Sequence, residues 1–264
     1  MSLPENWWSE EYGFFGDHYL EGDNSREGYL IARQQSLEER TKTEVEGIER
    51  LVGLRTGESV LDIPCGYGRH SIGLAGRGYQ VTGVDVNRVH LGRAVEAARD
   101  AKIGVEFVRS DMREMALDRH FDAAVNMFYS FGFFHSDAEN REALRRIFEA
   151  LKPGGRFLFH TDVNIPRILA GKYKEKECRT LASGRKLTIM DQYRQDTRRV
   201  DGCWVITNEG GLEVRKDYSM RVYERKEFVD LCRAVGFSRF EEFGDWQRSP
   251  YTEDSEDMMI VAWK

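Results

Sequence analysis

One stretch restricts the fold more than any other: Val60-Leu61-Asp62-Ile63-Pro64-Cys65-Gly66-Tyr67-Gly68-Arg69-His70-Ser71. An apolar run leads into a pair of glycines, and a helical pattern follows. Gly66 and Gly68 remove side chains where a ligand must approach the backbone. The free amides of the next helix point at the turn, a favourable place for an anionic or carboxylate group. Residues 58–161 repeat the alternation of short β-branched runs with helical patterns, the signature of a parallel α/β sheet. Strands are predicted at Ser59–Ile63, Gln80–Val84, Val105–Arg109, Phe121–Asn126 and Arg156–His160. Helices are predicted at Arg88–Ala101 and Asp137–Leu151, the second ending in Lys152-Pro153-Gly154-Gly155, read as a helix stop and a tight turn.

Two ligand classes use such a loop. A dinucleotide fingerprint asks for a third small residue, glycine or alanine, where this chain has Ser71. Asp62 also stands four residues before Gly66. A carboxylate beside a pyrophosphate is repulsive, whereas it suits a cation. S-adenosylmethionine carries an ammonium and a sulfonium, so Asp62 makes electrostatic sense for it. Asp85 ends the next strand, nineteen residues after Gly66, and would accept both ribose hydroxyls in either case.

The flanks differ from this centre. Residues 1–30 hold seven aromatic side chains among seven acids and one base, the pattern of a segment that packs over something. We expect residues 1–36 to form an N-terminal lid, with a helix over Leu37–Leu51 leading into the sheet. Residues 177–223 are strand-like and cut by turn signals at Ser183-Gly184, Asp201-Gly202 and Gly210-Gly211. They read as an antiparallel insertion of three or four strands after the fifth parallel strand, either a substrate wall or a dimer contact. Ten bases against four acids between Arg167 and Arg199 would neutralise the acidic N-terminus or attract an anionic substrate. Helix Arg225–Val235 and strands Ser238–Phe243 and Met258–Trp263 close the chain and extend the main sheet.

Composition excludes several classes. The 264 residues suffice for a single domain with a sizeable core. A net charge of −6 argues against a nucleic-acid partner. No apolar run is long enough to cross a membrane, and the acidic start does not read as a signal peptide. Cys65, Cys178, Cys203 and Cys232 are scattered, as expected of reduced thiols in the cytoplasm, and no metal constellation stands out.

The motifs together resemble class I S-adenosylmethionine-dependent methyltransferases. LDIPCGYGRHS resembles their glycine-rich motif, VTGVDVN the acidic ribose motif and FVRSDMREM the adenine segment. FDAAVNMFYSFGFF and LKPGGRFLF resemble the fourth- and fifth-strand motifs. Over most of the chain the likeness is to small bacterial enzymes with an aromatic lid, among them aminosugar, glycine and peptide N-methyltransferases. The resemblance implies a single Rossmann-like domain over residues 1–264, with a seven-stranded, mostly parallel sheet. It also implies S-adenosylmethionine as cofactor, with S-adenosylhomocysteine as product, and a small-molecule or peptide acceptor. Nitrogen is slightly favoured over oxygen. The alternatives are O- or C-transfer with a histidine base, or a binding protein without turnover. A monomer and a homodimer are equally compatible.

Carried over residue by residue, the resemblance puts Gly66 and Gly68 against the methionine portion. Asp62 would organise the loop and help hold the ammonium, and Asn126 would offer it a backbone carbonyl. Asp85 would bind the ribose, Val86 and Met112 would pack on the adenine, and Asp111 would accept from its amino group. Cys65 sits in the loop as a small packing residue. Tyr19, with Tyr12 and Phe15, would close over the sulfonium. The acceptor would lie beyond strands four and five, near the aromatic loop that holds Tyr129 and His135, and near His160, Thr161 and Asp162. Tyr193, Arg194, Arg221 and Tyr223 of the insertion would face it. His160, His135 and Tyr129 are the candidate catalytic side chains, histidine being the usual base near neutral pH. His70 and His90 read as structural.

Overall fold

The computed structural model describes residues 3–23, 36–128, 130–181, 183–208, 210–211 and 213–264. Its centre is a seven-stranded sheet of β1 (Ser59–Asp62), β2 (Gln80–Asp85), β3 (Glu106–Arg109), β4 (Phe121–Asn126), β5 (Leu151–Thr161), β10 (Arg239–Phe243) and β11 (Met258–Trp263). The order is β10-β11-β5-β4-β1-β2-β3, and β11 runs antiparallel to both of its neighbours. The expected Rossmann-like, mostly parallel sheet is present.

Alternation along the strands sorts the core onto two faces. Val60, Val125 and Leu158 pack with Ile48 and Leu51 of helix α2 (Leu37–Val52) and Leu74 of α3 (Arg69–Ala75). Leu61, Phe157 and Phe159 face the other way, against Leu144 and Ile147 of α5 (Asp137–Ala150) and Phe228 of α7 (Arg225–Val235). The helix boundaries have local causes. Ser36 with Glu39 and Ser136 with Glu139 form capping boxes at the starts of α2 and α5. Gly53, left-handed at φ 68°, ends α2. Asn87 caps α4 (Arg88–Ala101), accepting from the amides of Val89 and His90.

Two sequence expectations change. The segment Lys152-Pro153-Gly154-Gly155 lies within β5, not between elements. It bulges, because Phe121 pairs with Leu151 whereas Ala123 pairs with Arg156, and Lys264 closes the bulge by backbone bonds to Gly154 and Gly155. After β5 and the short helix α6 (Ile165–Leu169), the insertion forms a second sheet, β6-β7-β8-β9 (Lys176–Thr180, Lys186–Arg194, Arg199–Thr207, Glu213–Arg221), all antiparallel. Asp201-Gly202 is not a turn but the middle of β8, and the chain reverses at residues 195–198 instead. Gly202 is there for packing, since a Cβ would collide with Asp191 and the Tyr218 ring.

The described N-terminal residues, including α1 (Asp17–Asp23), bridge the two sheets. Trp7 Nε1 donates to Ser219 O at 3.1 Å, and Tyr12 Oη accepts from Asp217 N at 2.9 Å. On the other side Asn87 Nδ2 donates to Phe15 O at 2.7 Å, and Glu10 reaches Arg88 and Arg109 at 3.4 and 3.3 Å. The acidic segment is therefore neutralised partly by the insertion, through Arg185 with Glu21, and partly by arginines of the main domain. Residues 24–35, the rest of the expected lid, lie outside the described residues. Among the described residues no helix is long and apolar enough to cross a membrane, and no group of three His, Cys, Asp or Glu side chains could hold a metal.

Candidate active site

A cavity of about 310 Å³ opens at the carboxyl ends of the parallel strands, under the N-terminal segment. The glycine turn forms one wall. Gly66 has φ 55°, and a Cβ there would meet nothing within 4 Å except His90 Nδ1 at 3.9 Å, so the space above it is open. Gly68 differs. Its φ is 80°, but its missing Cβ points at Ala94 and Phe107 (2.8 and 3.0 Å), and it is not among the lining residues. Its glycine requirement comes from packing between the loop, α4 and β3.

Asp85 ends β2 on the cavity wall. Its Oδ2 accepts from Gly66 N and its Oδ1 from Asn87 N, each at 2.8 Å, and the Val86 amide also bonds to the carboxylate. Burial pushes this carboxyl up to about 6 against those amide bonds. Val86, Asp111 and Met112 line the same side. Asp111 is held by Arg113, with Oδ2 to Nη2 at 2.7 Å, and Arg113 is braced in turn by Glu139 at 2.5 Å. Cys65 also lines the cavity, and burial pushes its thiol well up, so it stays protonated.

Asp62 sits beneath the turn and does not reach the wall. It accepts from Ser71 Oγ at 2.6 Å, tying the end of β1 to α3, and burial raises its carboxyl to about 7. Asn126 is also fully buried. Its Nδ2 donates to Ile63 O at 2.8 Å and Ser130 O at 3.3 Å, while Met127 and Phe128 form the wall beyond it.

The candidate catalytic residues are not gathered. His160 is 1% exposed. Its Nδ1 accepts from Phe128 N and its Nε2 meets Asp257 Oδ1, both at 3.2 Å, and its ring stacks on Trp246. With both nitrogens engaged away from the cavity, it is a support for Phe128 rather than a base. His135 is exposed and belongs to a separate surface hollow beside Glu5 and Glu139. Tyr129 lies outside the described residues. Of the insertion residues expected here, Arg221 and Tyr223 bond Asp137 instead, and neither these two nor Tyr193 and Arg194 line the cavity.

Other residues take those places. Trp8, Phe15, Tyr19, Phe133, Phe134 and Trp204 line the cavity from the N-terminal segment, the loop after β4 and the insertion. Tyr19 stacks on Trp204 at 5.2 Å and 16°. Asp162 and Arg179 contribute polar groups. His70 and His90, read as structural, both line it, and burial lowers each imidazole to about 4, so both are neutral at pH 7.

A family model described as a methyltransferase domain matches residues 60–155. A candidate methyltransferase, YqeM of Bacillus subtilis (strain 168), is 33% identical over 215 residues, covering 78% of this chain and 83% of the relative. The chain belongs to the class I S-adenosylmethionine-dependent methyltransferases. A glycine/sarcosine N-methyltransferase of Parasynechococcus marenigrum (strain WH8102) is 26% identical over 242 residues, covering 90% of this methyltransferase and 82% of the relative. CalS10 of Micromonospora echinaspora, an amino pentose methyltransferase solved with S-adenosylmethionine bound, superposes with a TM-score of 0.65 at 20% identity, covering 89% and 94% of the two chains. The cavity suits that cofactor: there is open space over Gly66, Asp85 sets a carboxylate on the wall, and Val86 and Met112 make an apolar wall nearby.

Proposed function

We propose that this methyltransferase acts on a nitrogen of a small molecule or a short peptide terminus. The observation that carries the reading is the state of the histidines. His70 and His90 line the cavity but are poor bases, and His160 and His135 stand away from it. A hydroxyl acceptor needs a base, whereas an amine needs only to arrive neutral. O-transfer with a histidine base therefore loses its support.

Bound S-adenosylmethionine would supply an electrophilic methyl on sulfur, which the acceptor's lone pair takes in line. The chain's own task is alignment and exclusion of water. Asp85 would hold the ribose hydroxyls, Asp111 and Met112 the adenine, and the turn at Cys65-Gly66 the methionine portion. Asp62 would keep that turn in shape from below. The aromatic roof of Phe15, Tyr19 and Trp204 would make the N-terminal segment a lid, with ring faces available to a cation.

The test is transfer of labelled methyl to pooled amines and amino acids, aminosugars, short peptides, phenols and carboxylic acids. Labelling confined to nitrogen acceptors is expected. Turnover only in the phenol or carboxylate pools would overturn the nitrogen assignment.

A further inference from the structure

Arg113 stands behind the cavity wall, between β3 and β4, and does not line the cavity itself. Its side chain engages two carboxylates. Towards Asp111 it is a fork: Nη2 donates to Oδ2 at 2.7 Å, and Nε is shared between Oδ1 and Oδ2 at 3.1 and 3.2 Å. The Arg113 backbone amide also donates to Oδ1 at 2.8 Å, so Oδ1 has a backbone anchor whereas the guanidinium orients Oδ2. On the other side Nη1 donates to Glu139 Oε1 at 2.5 Å. Glu139 Oε2 accepts from Ser136 N and Oγ in the capping box of α5, which ties the fork to a helix start.

The flat face of the guanidinium is occupied too. It lies over the rings of Phe134 and Trp8, 4.3 and 5.1 Å from their centroids, and those rings meet edge to face at 5.5 Å. Trp8 belongs to the N-terminal segment and Phe134 to the loop after β4. Both line the cavity, and both also line the outer hollow to which Arg113 belongs, so the two rings form a partition between them. A guanidinium can hold a fork and a stack at once, because its donors lie in its plane and its faces stay free. An ammonium has a single nitrogen and no plane.

We propose that Arg113 is a positioning residue through which the seating of the N-terminal segment sets the base specificity of the donor site. Trp8 and Phe134 fix the guanidinium plane, the plane fixes Asp111 Oδ2, and Asp111 accepts from the amino group of adenine. Recognition of the base and seating of the roof are thereby coupled through one side chain. The inference rests on the reading of Asp111 as the adenine acceptor.

Calorimetric titration of Arg113→Lys, Trp8→Leu and the double variant tests the coupling. The probes are S-adenosylhomocysteine and S-inosylhomocysteine, in which a keto oxygen replaces the amino group of the base. The keto oxygen offers Asp111 no proton, so wild-type protein should prefer the adenosyl compound by about tenfold or more. Arg113→Lys keeps the charge of a partly exposed residue but loses the fork, and should cut that preference to about threefold or less. Trp8→Leu should cut it by a similar factor, although it leaves Arg113 and Asp111 in the chain. The double variant should lose no more than Arg113→Lys alone, because both substitutions act along one path. If Arg113→Lys weakens both probes equally and keeps the preference, its role is generally structural and the proposal falls. A preference untouched by Trp8→Leu, or losses that multiply in the double variant, overturn it as well. Wild-type protein that binds both probes equally overturns the adenine reading of Asp111, and the proposal with it. Protein that binds neither overturns the donor reading as a whole.

Discussion

Both oxygens of Asp85 are already engaged by backbone amides, and burial holds its carboxyl up to about 6. Above pH 6 it is ionised and only accepts; below, a proton takes up acceptor capacity that a ribose hydroxyl would use. Affinity for S-adenosylmethionine should therefore fall between pH 7 and pH 5. Asp85→Asn should flatten that slope and weaken binding at pH 7 by about tenfold, ~1.4 kcal/mol, as read by calorimetry. His160 makes the opposite prediction. Its nitrogens serve Phe128 and Asp257, so His160→Gln should cost about 1–3 kcal/mol of stability in denaturant titration and leave the shape of the pH–rate profile intact. A lost acidic limb in that profile would restore the role of base. The glycine turn and Asp85 were legible because their function is local, a backbone shape and a charge at one strand end. The places of His160 and His70 were not, because each depends on partners 97 and 26 residues away in the chain, Asp257 and Glu44.

At the scale of elements, local chemistry predicted most of what formed. Arg88–Ala101, Phe121–Asn126, Arg225–Val235 and Met258–Trp263 appear with the expected bounds, each set by period, cap or neighbouring turn. The failures were two glycine signals. Gly154 and Gly155 mark a bulge inside β5, and Gly202 marks a close approach inside β8, where Asp191 and Tyr218 occupy the space of a side chain. A glycine needed for a turn and a glycine needed for a neighbour look alike in a sequence. Gly202→Ala should accordingly cost about 2 kcal/mol or more by overpacking, whereas Gly184→Ala should pay only for its backbone conformation, because nothing lies near its missing Cβ. Equal midpoint losses in thermal unfolding would contradict this account.

Over the whole molecule, the N-terminal segment bonds to both the cofactor-side loops and the second sheet while lining the cavity. Removing residues 1–16 should leave the main sheet folded, since none of its strand pairings involves them. Methyl transfer should fall by about tenfold or more through lost alignment. Full activity of the truncated chain would show that the segment is no lid. The partners of this segment also set an order of events during synthesis. Trp7 and Tyr12 are synthesised well before their partners, Ser219 and Asp217, which follow more than 200 residues later. The parallel strands β1 to β5 can gather while those aromatic rings wait in water. The pocket acquires its roof only after β9 has been made, and until then the nascent chain carries exposed, sticky aromatic rings beside an unroofed site.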